Sequence, residues 1–183
     1  MSMQFANVWE RVADTVGDEI ALINGDKKSS WSSFDSKAAK IATILEEHGL
    51  KSDSKVGIYL HNSNEYLEAQ YGVFKIEGVP INVNYRYKEN ELIYLLDNAD
   101  AEAVFFQGCY ADRIKAIKDQ LPKIKVYIQV DDGTEPLMQG AIDFENSISS
   151  SKEQKRFNRT EENIYMLYTC LLYTSDAADE AEC

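Results

Sequence analysis

Apolar residues recur along this chain at two periods, and the alternation between them lays out the elements. Phe5, Val8, Trp9 and Val12 fall at i, i+3, i+4 and i+7, so residues 3–14 read as an amphipathic helix. Ile20 to Ile23 and Ser29 to Trp31 flank Asn24-Gly25, a pair suited to the positive φ angles of a tight turn, and predict a small β-ribbon. Ser32 with Asp35 three positions on reads as a capping box. The helix behind it is expected to bury Phe34, Ala38, Ile41, Leu45 and His48 and to stop at Gly49.

From Lys55 onward short apolar runs alternate with helical periods. Strands are predicted at Lys55 to Leu60, Val79 to Val83, Ala103 to Phe106, Lys125 to Val130 and Asn163 to Tyr168. Between them fall a helix capped by Asn62-Ser63 with Leu67, Tyr71 and Phe74 inward, a helix over Glu89 to Asn98 with Leu92, Leu95, Leu96 and Ala99 inward, and a helix over Tyr110 to Gln120. Ala141 to Ile148 reads as a short helix, and Ser149 to Thr160, polar and aperiodic, as an exposed loop. The pattern predicts an α/β fold: a mainly parallel sheet with helices on both faces, plus a small N-terminal β-hairpin. Ligands bind at the C-terminal ends of such strands, which draws attention to Thr169 at the end of the last one.

Composition narrows the classes. The chain has 183 residues with 44% hydrophobic and 27% charged content, as in ordinary globular domains. No apolar run reaches membrane-spanning length and no signal peptide opens the chain, so cytoplasmic residence is expected, with no transmembrane segment. The net charge of −12 argues against a nucleic-acid partner, whose phosphates need a basic patch. It leaves ATP open, because a local loop can hold phosphates inside an acidic protein. Cys109, Cys170 and Cys183 lack metal spacing, and no metal ligand is assigned.

Few side chains carry candidate chemistry. His61 beside Asn62-Ser63 lacks the glycines of a nucleophile elbow, so helix capping accounts for the pair. His48 in a last helical turn suits a helix dipole. Cys109 has no basic neighbour in sequence and reads as an inert thiol. Arg86-Tyr87-Lys88 fits either an anion contact or a solvated loop. Glu46-Glu47, Asp131-Asp132 and Glu161-Glu162 are adjacent carboxylates that point apart. Gly57, Gly72 and Gly78 form no dinucleotide fingerprint and read as packing or helix-end glycines. No catalytic residue is assigned.

Three passages nonetheless share an order and spacing with a known family: Trp31-Ser32-Ser33-Phe34-Asp35, then Phe74 to Arg86 (Phe-Lys-Ile-Glu-Gly-Val-Pro-Ile-Asn-Val-Asn-Tyr-Arg), then Ile164 to Thr169. Through them the chain resembles the N-terminal part of the AMP-forming acyl-CoA synthetases, within the adenylate-forming superfamily. The likeness runs from about Phe5 to Thr169, and the Asn-Val-Asn-Tyr-Arg wording leans toward fatty-acyl substrates. The resemblance implies a ligase that uses ATP, Mg and coenzyme A: a carboxylic acid attacks the α-phosphate, and the coenzyme A thiol then displaces AMP. It also implies that Thr169 opens the nucleotide-binding loop.

After Thr169 the family continues with small residues and Gly-Thr-Thr-Gly, whereas this chain continues Cys170-Leu171-Leu172-Tyr173. Bulky residues cannot bring backbone N–H groups to phosphate oxygens. Residues 170–183 resemble one reading frame of a transposase-type sequencing adapter, which would make them a non-native, disordered tail behind a partial AMP-binding domain at residues 1–169. Without that tail's four acids the net charge moves from −12 to −8. The polypeptide as written is expected to be inactive and to bind none of these cofactors tightly. Two rivals stand: a stand-alone flavodoxin-like binding or interaction module with a genuine acidic tail, and a different adenylate-forming ligase.

Overall fold

The computed structural model describes residues 3–160 and 165–168. Helix α1 (Phe5–Val16) is capped by the buried Gln4, whose side chain accepts from the Asn7 N–H at 3.2 Å. The ribbon comes next as β1 (Ile20–Asn24) and β2 (Lys27–Ser30), antiparallel, with Gly25 at φ +59° in the turn. Helix α2 (Trp31–Glu47) begins one residue before the expected capping box. Its cap is Ser30, accepting from Ser33 N–H at 3.2 Å, because Trp31 is already helical. The end of α2 is as expected: Gly49, at φ +77°, donates to the Glu46 carbonyl and Leu50 to the Leu45 carbonyl, the paired bonds of a left-handed helix stop.

The main sheet takes β3 (Lys55–Tyr59), β4 (Val79–Asn82), β5 (Ala101–Gln107), β6 (Val126–Val130), β7 (Ala141–Asp143) and β8 (Met166–Leu167) in the spatial order β7-β6-β5-β3-β4-β8. Every neighbouring pair is parallel. Helices α3 (Asn64–Lys75), α4 (Glu89–Asn98), α5 (Ala111–Ile117) and α6 (Phe144–Ser150) cover it. Alternation along the strands sorts the two faces. Val56, Ile58 and Phe105 pack on α2, α3 and α6, while Tyr59, Ile81, Val104 and Phe106 pack on α4 and α5. Helix α1 forms a further layer outside α2 and α3, held by Trp9, Phe34, Tyr71 and Phe74, with Trp9 edge-on to Tyr71 at 4.9 Å.

Several expectations are corrected. Ala141 to Asp143 is an edge strand rather than the start of a helix, because it pairs in register with Tyr127 to Gln129, and α6 starts only after the Asp143 cap. The helix expected over Tyr110 to Gln120 is α-helical only over Ala111–Ile117, with a tight 3₁₀ turn at each end. Leu67 is 36% exposed and faces outward from α3. His48 is half-buried, its Nδ1 lying 2.8 Å from the Ile44 carbonyl oxygen. Residues 151–160 have no regular structure, as expected, yet they are not a free loop: Arg159 is buried at 4% exposure. The last strand is described only at Met166–Leu167, and Asn163 and Ile164 lie outside the described residues.

Buried between α2, α3 and α6, Glu68 sits 3.3 Å from Lys37 Nζ. Burial pushes its carboxyl up to about 7, against the pull of Lys37 and with the help of Glu65 and Glu145. A pKa raised on folding gives stability that is intact below the unfolded carboxyl's pKa and fades as pH rises through 7. Glu68→Gln, which mimics the protonated form, therefore stabilises the fold by about 1–3 kcal/mol at pH 8. In urea denaturation the gain shrinks as pH falls from 7 to 4.5.

Candidate functional site

The helix that leaves β3 lies on one face of the sheet, and the helices that leave β4 and β5 lie on the other. Connections diverging in this way open a crevice at the carboxyl ends of the strands, where α/β proteins bind ligands. Side chains from several segments meet there. Tyr59, ending β3, accepts a hydrogen bond from Arg113 Nη1 of α5 at 2.8 Å and donates to the Tyr87 carbonyl at 2.7 Å. Burial raises the Tyr59 pKa despite Arg113, so its phenol stays protonated. Tyr110 stacks on Tyr59 with ring centroids 4.3 Å apart and meets His61 Nε2 through its hydroxyl at 2.5 Å. The His61 N–H donates to Gln107 Oε1 at 3.1 Å, which closes the gap between the ends of β3 and β5. Burial, with Cys109 and Tyr59 nearby, pushes the Tyr110 phenol up to about 12.

On the β4 side, Tyr66 of α3 donates to Asn82 Oδ1 at 2.9 Å and meets the Tyr165 hydroxyl at 3.3 Å. Tyr168 donates to Asn98 Oδ1 at 2.6 Å. These bonds tether residues 165–168 to α3, β4 and α4. Thr169 itself, and the Glu161-Glu162 pair, lie outside the described residues.

Among the described residues this edge offers hydrogen bonds, aromatic faces and the Arg113 guanidinium, but no activated nucleophile. Desolvation and the Asp132 carboxylate push the Cys109 thiol up, in keeping with an inert cysteine. Asp132 accepts from the N–H groups of Cys109 and Thr134 at 3.1 Å each, a structural role. Ser63 caps α3 by accepting from Tyr66 N–H, and Lys88 starts α4 with its N–H donating to Glu91 at 2.8 Å. Arg86 lies 5.4 Å from the Tyr85 ring on an exposed loop. Among the described residues no group of three His, Cys, Asp or Glu side chains could hold a metal ion. Gly57 and Gly72 are packing glycines, as expected: a Cβ at Gly57 would lie 2.8 Å from Leu96 Cδ2.

A second constellation lies away from the crevice, beneath α1, and sequence reasoning did not find it. Lys75, at the end of α3 and 1% exposed, places its Nζ 2.7 Å from Glu10 and 2.7 Å from Asp35. Burial pushes Asp35 up, but hydrogen bonds from Lys75, Tyr71 and Arg156 prevail and hold its carboxyl below the usual range. Arg156 also reaches Asp14 at 2.7 Å, and Arg159 reaches Glu10 at 3.0 Å and the Lys75 carbonyl at 2.9 Å. Asp35 and Lys75 belong to the first two sequence passages that carry the family resemblance, so those passages meet as a buried ion pair. The two arginines lie shortly before the third passage. The available signal was a lysine amid the apolar residues of α3 and two arginines spaced i, i+3 in a polar stretch. A cleft of about 660 Å³ between α1 and residues 156–159 adjoins this cluster. We place ligand chemistry at the strand ends instead, because the cations of this cluster already face carboxylates.

Among the described residues, no helix is long and apolar enough to cross a membrane. A sequence profile described as AMP-binding enzyme matches residues 9–170. The chain is 35% identical over 172 residues to a 3-oxocholest-4-en-26-oate–CoA ligase of Rhodococcus rhodochrous, covering 92% of this chain and 31% of that protein. It is 34% identical, with the same two coverages, to a medium/long-chain-fatty-acid–CoA/3-oxocholest-4-en-26-oate–CoA ligase of Mycolicibacterium smegmatis. The chain thus spans about a third of the length of these curated relatives. Among solved structures, a fatty acyl CoA synthetase of Mycobacterium tuberculosis superposes with a TM-score of 0.76 at 18% identity, over 90% of this chain and 32% of that one. An anthranilate CoA ligase in complex with anthranoyl-AMP superposes with a TM-score of 0.78 at 19% identity, over 85% and 29%.

Proposed function

Because the chain belongs to the AMP-binding enzyme family, we propose that it is the N-terminal part of an ATP-dependent acyl-CoA synthetase. That enzyme activates a carboxylic acid, of fatty type, as an acyl-adenylate and transfers it to coenzyme A. The match over residues 9–170 carries this reading, together with relatives that are acyl-CoA ligases. Residues 1–169 form the partial AMP-binding domain and residues 170–183 a non-native tail. In this reading Thr169 opens the nucleotide loop, one residue beyond Tyr168 in the sequence. ATP and coenzyme A supply the phosphoryl and thiol chemistry. The role of this chain's own residues is to hold that crevice in shape: Tyr59, Arg113 and Tyr110 brace the ends of β3 and β5, and Tyr66 and Asn82 brace β4 against Tyr165. The Mg ligands of the whole enzyme lie outside the described residues, and the reaction takes place in the cytoplasm with no nucleic-acid partner.

The polypeptide as written gives no ATP–pyrophosphate exchange with any fatty acid, because Cys170-Leu171-Leu172 cannot cradle phosphate oxygens. Measurable exchange by the purified chain contradicts that. The native transcript read across codon 169 tests the wider proposal. We expect a Gly-Thr-Thr-Gly continuation, and a product that releases AMP and pyrophosphate only with a fatty acid and coenzyme A present. A transcript that itself encodes Cys-Leu-Leu-Tyr and then stops after Cys183 would favour the stand-alone binding module.

A further inference from the structure

Residues 151–160 have no backbone ladder to fix them, yet side chains hold them along their length. Ser36 donates to Glu153 at 2.5 Å, and Gln154 donates from its N–H to the Ala39 carbonyl at 3.1 Å and from Nε2 to Glu46 at 2.6 Å. Arg156 bridges Asp14 of α1 and Asp35 of α2, at 2.7 and 2.8 Å. Arg159, its side chain 0% exposed, ties Glu10 and Asn7 of α1 to the Lys75 carbonyl at the end of α3. Thr160 then donates from its N–H and its hydroxyl to Glu77, at 2.6 and 3.0 Å. Glu77 stands two residues before β4, with its own backbone at φ +56°, a conformation that costs a non-glycine residue energy. The chain that becomes β8 is thus pinned beside the root of the one strand it pairs with.

That pin matters because β8 has so little ladder of its own. Among the described residues it pairs with β4 only at Ile81↔Met166 and Asn82↔Leu167. A slip of one residue would turn every side chain to the opposite face and shift the downstream chain by about 3.3 Å. We propose that Arg156 and Arg159 are positioning residues for the strand that delivers Thr169: clamped on the Glu10–Asp35–Lys75 cluster, they fix the register at which β8 joins β4. The inference rests on reading Thr169 as the start of the nucleotide loop.

Residues 82 and 167 are paired and both exposed, which makes the register directly readable. The test places Asn82→Cys and Leu167→Cys in the full chain, with Cys109, Cys170 and Cys183 changed to Ser, and monitors disulfide formation under diamide. Arg159→Lys keeps the charge but not the forked bonds, and Arg156→Gln removes an outer clamp that is 42% exposed while leaving the buried Arg159 in place. Each is expected to slow this cross-link by about tenfold or more, with an unchanged far-ultraviolet circular dichroism spectrum. The pairs one residue off, Asn82→Cys with Met166→Cys and Asn82→Cys with Tyr168→Cys, should gain what the native pair loses. Should the lysine variant fail to fold, the glutamine variant decides. An unchanged rate overturns the proposal and leaves the register to the Tyr165 and Tyr168 hydrogen bonds. The readout needs no nucleotide, so failure of the ligase reading would show in the AMP assay and not here.

Discussion

Lys75→Met lowers the unfolding free energy of this chain by about 3 kcal/mol at pH 7, measured by urea denaturation. The ammonium is buried between Glu10 and Asp35 and lies 4.6 Å from the Tyr71 ring centroid. Methionine fills the space but leaves both largely buried carboxylates short of a cation. The loss stays near the lower end of what breaking a buried pair costs, because Arg156 and Arg159 still face those carboxylates. The variant also changes the acid limb of the stability profile. Asp35 has its pKa depressed on folding, so its contribution is present above the unfolded pKa and lost as pH falls through the folded one. Without Lys75 the folded pKa rises, and the loss begins at higher pH. An unchanged acid limb would mean that Arg156 alone holds the Asp35 charge.

Gly72→Leu is expected to cost about 3 kcal/mol, although glycine within a helix is itself unfavourable. At this point α3 crosses α2 so closely that a Cβ on residue 72 would stand 2.7 Å from Ile41 Cβ and 3.2 Å from the Ala38 carbonyl oxygen. The backbone carbonyl cannot yield, and Ile41 is 1% exposed with neighbours on every side. Even Gly72→Ala destabilises, despite a gain of about 1 kcal/mol in helix propensity. A double-mutant cycle isolates the cause: Ile41→Ala should cost less by about 1 kcal/mol or more in the Gly72→Ala background than alone. Additive costs would show that the crossing relaxes without strain.

How legible these features were depends on the range over which each is determined. Helix α4 reads directly from Leu92, Leu95, Leu96 and Ala99, because a 3.6-residue stripe is local and all four are buried. The parallel sheet needed only the alternation of strands with helices. The capping of α2 failed at close range: Ser32 and Asp35 have the spacing of a box, but Ser30 starts the helix and Asp35 is spent on Tyr71, Lys75 and Arg156. The stretch before β8 failed at long range. Its polar, aperiodic letters say nothing of an acceptor 149 positions earlier, where Glu10 meets Arg159. The candidate site divides in the same way. Thr169 is proposed from the sequence alone, whereas Tyr59, Tyr110 and Arg113 become a group only when β3, β5 and α5 come together.

The arginine clamp also bears on how the molecule comes into being. Asn7 and Arg159 are separated by 152 positions and Asp14 and Arg156 by 142, so α1 is synthesised long before the residues that fasten it. Contacts this distant in sequence form late, after the entropy of a long closure has been overcome. Until then nascent α1 holds to α2 and α3 through Trp9 and its aromatic neighbours, the Glu10–Lys75 pair and the Gln4 bond to the Phe74 carbonyl. During synthesis the greasy flank of that helix is therefore the surface on which chaperones and stray chains compete.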